Sequence, residues 1–420
     1  MSNTPKLRFP EFSGEWEEKN FYEVFDILQN NTFSRDQPNN ENGIVRNIHY
    51  GDVLIKYGDC IDCQKEELPF INLENNLSKY EDTSYVKNGD IIIADTAEDY
   101  TAGKVTEICN VKDYKILSEL HTFLCRTKFE FASKFLGCKL NSGSYHNQIA
   151  PLVAGTKVYS INRKAIGETT ITYPSKAEQQ KIADFLSNVD SIITAETKNL
   201  NTLQKKEKAL MQKLFTQQLR FKSDDGTNFP TREEKKLGEI AIFSKGNGYS
   251  KSDLVSNGTP IILYGRLYTK YETVISDVDT FVQEKKNSVI SVGNEIIAPA
   301  SGETAEDISR ASAVKHNGVI LGGGLNIIEV DLNHYIPEFI ALCISNGEPK
   351  KRKAKLAQGK TIVYLHNSDL QQLIFSIPCK AEQQKIADCL SRLDSLIQTQ
   401  QKVVTTWQQR KKALLQQMFI

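Results

Sequence analysis

One nonapeptide occurs twice in this chain. Lys176 to Asp184 and Lys380 to Asp388 both read KAEQQKIAD, 204 positions apart (380 minus 176), and the register runs on without a gap to Phe215 and Phe419. About half of the positions in that run are identical, 22 of 40, and 7 of the other 18 exchange one apolar residue for another. Two like copies half a chain apart mean a duplicated unit, so any fold for this sequence has to place the same piece twice.

The repeat reads as a long helix. In the first copy apolar residues fall at Ile182, Leu186, Val189, Ile193, Leu200, Leu203, Leu210 and Leu214, with Glu196 and Glu207 in the two skipped places. The second copy has Ile386, Leu390, Leu393, Ile397, Val404, Trp407, Leu414 and Met418 in the same register, with Gln400 and Lys411 in the gaps. Alternating steps of three and four mark a heptad seam. Pro174 followed by Ser175-x-x-Glu178 is a capping-box start; Cys379 replaces the serine in the second copy and predicts a weaker cap. Neither Gly nor Pro interrupts 176–215 or 380–419, so each helix would extend roughly 60 Å. A single apolar seam needs a partner. Either the two repeats pair with each other, with Glu196 and Glu207 facing Gln400 or Lys411, or each packs on its own domain.

The segments ahead of each helix also correspond, weakly but in order. Trp16–Val24 parallels Arg232–Ile240, Tyr50–Tyr57 parallels Tyr264–Tyr271, Gly89–Ala94 parallels Gly293–Ala298, and Gly155–Pro174 parallels Gly359–Pro378. Short β-type runs (Ile91–Ala94, Val158–Ile161, Ile261–Tyr264, Ile296–Ala298, Ile327–Val330, Ile362–Leu365) alternate with helical stretches near Phe129–Leu140 and Pro337–Ser345. Loops rich in Gly, Asn and Ser are expected at 37–43, 141–148, 245–250 and 322–324. Leu219-Arg220-Phe221 follows the first helix, and Leu7-Arg8-Phe9 opens the chain, so the order of elements is cyclic. The expected fold class is α+β: two globular domains joined by two long helices that pair as an antiparallel coiled coil, with pseudo-two-fold symmetry. The expected boundaries are 1–174 and 219–378 for the domains, and 175–218 and 379–420 for the helices.

Composition narrows the function classes. No run approaches the ~18–20 apolar residues of a membrane span, and MSNTPKLRFPEF lacks the apolar stretch of a signal peptide. A cytoplasmic protein with reduced cysteines is the expectation. The formal net charge is zero, which neither supports nor excludes nucleic acid. The repeats themselves are basic: 175–222 holds nine Lys/Arg against five Asp/Glu, and 379–420 seven against three.

The pattern Gly155-Thr156…Pro174-Ser-Lys-Ala-Glu178-Gln179-Gln-Lys-Ile182, repeated as Gly359…Pro378-Cys-Lys-Ala-Glu382-Gln383-Gln-Lys-Ile386 after a divergent domain, resembles the specificity subunit of type I restriction–modification systems. The resemblance extends over essentially the whole chain and departs at Lys360, which stands where the first copy has Thr156. It implies that each divergent segment is a target recognition domain reading one half of a bipartite site in double-stranded DNA. It implies also that the helices set the half-site spacing and dock methyltransferase (modification) subunits, which motor-nuclease (restriction) subunits then join in a bacterial or archaeal cytoplasm. S-adenosylmethionine, ATP and Mg would belong to those partners, with no cofactor in this chain.

The residues agree that catalysis lies elsewhere. No Pro-Pro pair exists to build an adenine-methyltransferase motif, and Gly359-Lys360-Thr361 ends like a phosphate loop but has Ala354 at the first glycine position. Cys60-x-x-Cys63 falls short of the four ligands of a structural zinc site, so no metal is expected. DNA readout needs Arg, Lys, Asn, Gln, Ser or Thr in a groove, with phosphate contacts for positioning. The candidates are Arg35, Asn39, Asn40, Arg46, Tyr100, Lys104, Ser144, Tyr145, His146, Asn147 and Gln148 in the first domain. In the second they are Lys245, Asn247, Tyr249, Lys251, Arg266, Ser301, Thr304 and the basic run Lys350, Lys351, Arg352, Lys353 and Lys355. For each alone, an ordinary solvated side chain is the competing reading. A non-catalytic coiled-coil scaffold holding two protein-binding modules is the competing function.

Overall fold

A computed structural model of the chain describes residues 4–33, 38–39, 43–155, 157–270, 272–304, 308, 310–346 and 363–420. The chain divides into two compact units, Met1–Thr197 with Val403–Ile420, and Lys198–Lys402. Each unit therefore contains the start of one long helix and the end of the other. The helices are continuous from Lys176 to Phe215 and from Lys380 to Met418.

The first unit is built on a five-stranded sheet, ordered Phe25–Leu28, Thr122–Thr127, Ile91–Ala94, Val105–Cys109, Cys60–Asp62. The second unit repeats it strand for strand: Ala241–Lys245, Leu325–Val330, Ile296–Pro299, Ser312–Val314, Val274–Ile275. In both, the last pairing is parallel and the others are antiparallel. The apolar run Ile91–Ala94 has no polar alternation because both sheet faces are covered. Ile91 and Ile93 enter one core with Phe21, Phe135 and Leu186, while Ile92 and Ala94 enter another with Ile48 and Ile108. Ile296 and Ile297 divide between two cores of the second unit in the same way.

The start of KAEQQKIAD is explained residue by residue. Glu178 is buried and accepts from Arg8 Nε and NH2 at 2.8 and 2.7 Å. Gln179, also buried, donates to the Pro174 carbonyl (2.8 Å) and accepts from Ala132 N (3.0 Å). The second unit repeats both devices: Arg220 Nε and NH2 donate to Glu382, and Gln383 donates to the Pro378 carbonyl (2.9 Å) and accepts from Ile336 N (2.9 Å). The glutamate thus fastens the LRF arginine, and the glutamine ties the helix start to the domain, which is why both are buried polar residues with partners. With Glu178 turned to Arg8, the Ser175 cap is a long contact of 3.5 Å to Glu178 N. The helix with Cys379 begins at the same repeat position, because the buried glutamine and glutamate anchor it.

The cyclic order has a direct counterpart. Leu7 N donates to the Gln417 carbonyl (2.9 Å) in the first unit, and Leu219 N to that of Lys213, the repeat equivalent of Gln417, in the second (3.1 Å). Two non-covalently apposed segments reproduce what one continuous segment does.

Along the helices none of the sixteen seam positions is fully exposed: Ile182, Leu186, Val189, Leu200, Leu214, Ile386, Leu390, Val404 and Met418 are buried and the others half-buried. Within the first unit Ile182 and Leu186 share a core with Leu414 and Met418; within the second, Ile386 and Leu390 share one with Leu210 and Leu214. The start of one helix meets the end of the other, as antiparallel pairing requires.

The expected partners of Lys411 and Glu207 require correction. Lys411 Nζ lies 2.6 Å from Asp190 and 2.5 Å from Asp59, and Glu207 meets Asp394. Antiparallel register sets the skipped seam places 411 and 207 against flank residues of the opposite helix, Asp190 and its repeat equivalent Asp394. Two further expectations shift. The stretch 141–148, read as a loop, contains the helix Gly143–Ile149, capped by Ser142. The helix sought near Phe129–Leu140 spans only Phe135–Leu140, because Phe129 and Phe131 pack against Tyr173 and Lys134 adopts φ +71°.

Candidate nucleic-acid interface

The candidate residues of the first unit separate into structural and available ones. Arg46 is half-buried, its guanidinium held over the rings of Tyr114 (4.2 Å) and Phe70 (4.7 Å). Tyr145 is in the core, its hydroxyl 3.0 Å from Thr169 Oγ1. Gln148 accepts from Thr170 N (2.9 Å) and donates to its carbonyl (3.1 Å), and Ser144 Oγ lies 2.8 Å from Ser142 Oγ. These four hold the fold. Lys104 donates to the Leu54 carbonyl (2.5 Å), and burial lowers its pKa below the ordinary lysine value. His146 is half-buried and Asn147 exposed on the helix Gly143–Ile149. Tyr100 is 71% exposed and its ring lies 4.6 Å from that of Tyr159, a pair of open aromatic faces of the kind that stacks on bases. Asn39 lies in the short strand Pro38–Asn39, its side chain outside the described residues. Arg35 and Asn40 lie outside them altogether.

The second unit brings three candidates to one place. Tyr249, Lys251 and Arg266 line a cavity of about 730 Å³ together with Leu254, Tyr264 and Lys270. Arg266 is not free: NH1 donates to Asp279 (2.5 Å) and NH2 to Glu272 (2.9 Å), leaving only Nε without a partner. Tyr249 has φ +61°, which aims its hydroxyl at Ser288 Oγ (2.5 Å) and the Lys285 N–H (2.7 Å). Lys251 and Lys245 are exposed cations, and Asn247 is exposed with its amide on the Asn287 carbonyl (3.2 Å). Ser301 and Thr304 sit in and just after the strand Ser301–Gly302, away from that cavity's lining. The run Lys350, Lys351, Arg352, Lys353 and Lys355 lies outside the described residues.

Sequence reasoning missed Lys285, whose ammonium stands 4.5 Å over the Tyr249 ring, and Lys270 and Tyr264 at the cavity. Nothing local to Lys285 signals its role, since its aromatic partner is 36 residues away. Among the described residues no cluster of His, Cys, Asp and Glu is arranged to hold a metal, and no helix is long and apolar enough to cross a membrane.

Comparison with known proteins places this architecture. A family model described as the type I restriction modification DNA specificity domain matches residues 13–205 and 231–406. The type I restriction enzyme MjaVIII specificity subunit of Methanocaldococcus jannaschii is 23% identical over 289 residues, 62% of this chain and 64% of that protein. The putative MjaX specificity subunit of the same organism is 25% identical over 276 residues, 61% of this chain and 60% of that protein. The chain thus spans less than two thirds of the length of these two relatives. In fold it is similar to the type I restriction–modification S subunit from M. genitalium, with a TM-score of 0.61 at 16% identity over 99% of both chains. It is similar also to a chain from a structure addressing complex assembly and conformational transition of the type I system (TM-score 0.53, 14% identity, 95% and 96% covered). Matched in both of its repeats and over most of its length, the chain belongs to the family of type I restriction–modification DNA specificity domains.

Proposed function

We propose that this chain is the non-catalytic DNA-specificity subunit of a type I restriction–modification complex in a bacterial or archaeal cytoplasm. Residues 1–174 and 219–378 act as two target recognition domains, each reading half of a bipartite site, and the helical stretches 175–218 and 379–420 act as the spacer. One observation carries the reading: the two frameworks correspond strand for strand, while exposed residues on them differ, as at Lys245, which stands where the first unit has Gln29. A shared frame with unlike contact residues is what two different half-sites require. The exposed helix faces are where methyltransferase subunits dock, with restriction subunits joining them; S-adenosylmethionine, ATP and Mg belong to those partners.

Half-sites read by a two-fold protein lie about one DNA turn apart or more, ~34 Å or a multiple, within the reach of helices of about 60 Å. Purified with its methyltransferase, the chain is expected to direct adenine methylation to one bipartite sequence. Inserting one helical turn after Lys198 is expected to change the spacer length and leave both half-sites as they were. Methylation or binding that ignores sequence would favour the protein-binding scaffold instead, and altered half-site bases after the insertion would remove the spacer role.

A further inference from the structure

Because the two units are copies, each position of one helix can be compared with its equivalent in the other. Phe185 and Cys389 are repeat equivalents, each following KAEQQKIAD. In the first unit the Phe185 ring stands edge-on to Phe9, centroids 5.8 Å apart and planes at 85°, over the seam that Leu414 joins. In the second unit Phe221 stands for Phe9 and Leu210 for Leu414, but Cys389 ends at its sulfur. A groove of about 560 Å³ is left, lined by Leu210, Phe221, Cys389, Leu393 and Leu396, with Arg392 at its rim. Leu396 is 57% exposed there. The rim has changed as well: Arg392 stands where the first unit has Asn188, and it has no ion-pair partner among the described residues. Asp388, also at the rim, is held by the Gln384 amide (2.7 Å), and Lys385 is engaged by Asp224 (2.6 Å).

We propose that this groove seats an aromatic side chain of a partner polypeptide, which enters where Phe185 stands in the other unit and brings a neighbouring carboxylate to Arg392. The first unit shows what fits: a phenyl ring edge-on to the phenylalanine of the LRF segment, with leucines beneath. The exchange of Asn188 for Arg392 supplies the charge that a carboxylate beside the ring would meet. A buried aromatic anchor beside an arginine is the usual make-up of an interface hot spot. The inference rests on the reading that modification subunits dock on the helices, and it adds that the two helix faces are unequal. One face carries its own ring, and the other receives one.

The test installs the first unit's solution in the second. Cys389→Phe in the full chain fills the groove with a ring that the fold already accommodates at Phe185, so its thermal midpoint is expected to match the parent. Titrated with the modification subunit of its own system, the parent is expected to bind two equivalents. Cys389→Phe is expected to weaken one of them by about 30-fold or more and leave the other unchanged. Arg392→Asn, with the groove open, is expected to weaken the same equivalent by about 5-fold. Unchanged binding of both equivalents to Cys389→Phe overturns the proposal, as does a loss confined to self-association of the chain or to uptake of a small aromatic compound. If the parent binds no modification subunit at all, the docking reading fails first and the groove assignment with it.

Discussion

The pair Glu207 and Asp394 makes the sharpest energetic prediction. At the same repeat positions the first unit has Lys411 against Asp190, 2.6 Å apart, whereas the second opposes two carboxyl groups. Burial, then the contact with Asp394 and its charge, push Glu207 up from 4.5 to about 8. A displacement of that size corresponds to about 5 kcal/mol for a group sealed from water; Glu207 is half-buried and reaches solvent, and screening reduces the figure to about 1–2 kcal/mol. The sign follows from linkage. Between pH 4.5 and about 8 the folded chain retains a proton that the unfolded chain has released, so stability is full below 4.5 and is lost as pH rises through 8. Glu207→Gln removes the penalty, and Glu207→Lys also recreates the ion pair of the first unit. At pH 8.5 both variants are expected to melt about 3–6 °C above the parent, on the scale of a unit near 200 residues, with Glu207→Lys the higher. At pH 4.5 Glu207→Gln should coincide with the parent. Thermal melts of the three proteins from pH 4.5 to 8.5 supply the comparison. A parent whose stability does not change over that range, or a Glu207→Gln variant no more stable at pH 8.5, would refute the reasoning.

Other perturbations follow from the same structure. Glu382→Ala removes the shared partner of Arg220 and Arg232, whose side chain is 1% exposed, and an uncompensated buried charge costs about 3–5 kcal/mol. Glu178→Ala strands only Arg8, which at 15% exposure can reach water, and should cost about 1–2 kcal/mol; equal denaturation midpoints for the two variants would contradict this ranking. Although burial works against it, the hydrogen bonds from Arg220 and Arg232 hold the Glu382 carboxyl below its ordinary 4.5, so its contribution is present above 4.5 and is lost as pH falls through the lowered value. Lys245→Ala with Lys251→Ala should lower the slope of log affinity against log salt by about two, one for each phosphate no longer neutralised, and an unchanged slope would take both lysines out of the interface.

How much of this was legible in the sequence depends on the range of each signal. The helices announce themselves because their seam is a local period, and the central strands Ile91–Ala94 and Ile296–Pro299 because they are apolar on both faces; the other four strands of the first unit's sheet were not legible. The reason for Glu178 and Gln179 was hidden, since Arg8 is 170 residues away and Ala132 is 47. Residue type alone cannot tell a reading side chain from a structural one. Arg46, Tyr145 and Gln148 have the chemistry to meet DNA, but aromatic faces, Thr169 and Thr170 claim them first. Lys245 and Lys251 stay available because their ammonium groups stand in solvent and the fold makes no use of them among the described residues. The seam pairing was misread for a related reason: register within one helix is local, but the residue opposite is set by the antiparallel offset between two.

The apposition of Leu7 with Gln417 also bears on the order in which the protein is completed during synthesis. The second unit is one contiguous stretch, Lys198–Lys402, and can close as soon as Lys402 is available. The first unit begins to emerge first yet finishes last. Until residues 403–420 arrive, Trp16 and Phe135 lack the Phe419 ring that packs against both, and Asp59 and Asp190 lack the Lys411 ammonium between them. Domains fold as units when their segments are present, so the first-made part of the chain waits, with an aromatic socket and two uncompensated carboxylates open, for the final helical turns to complete it.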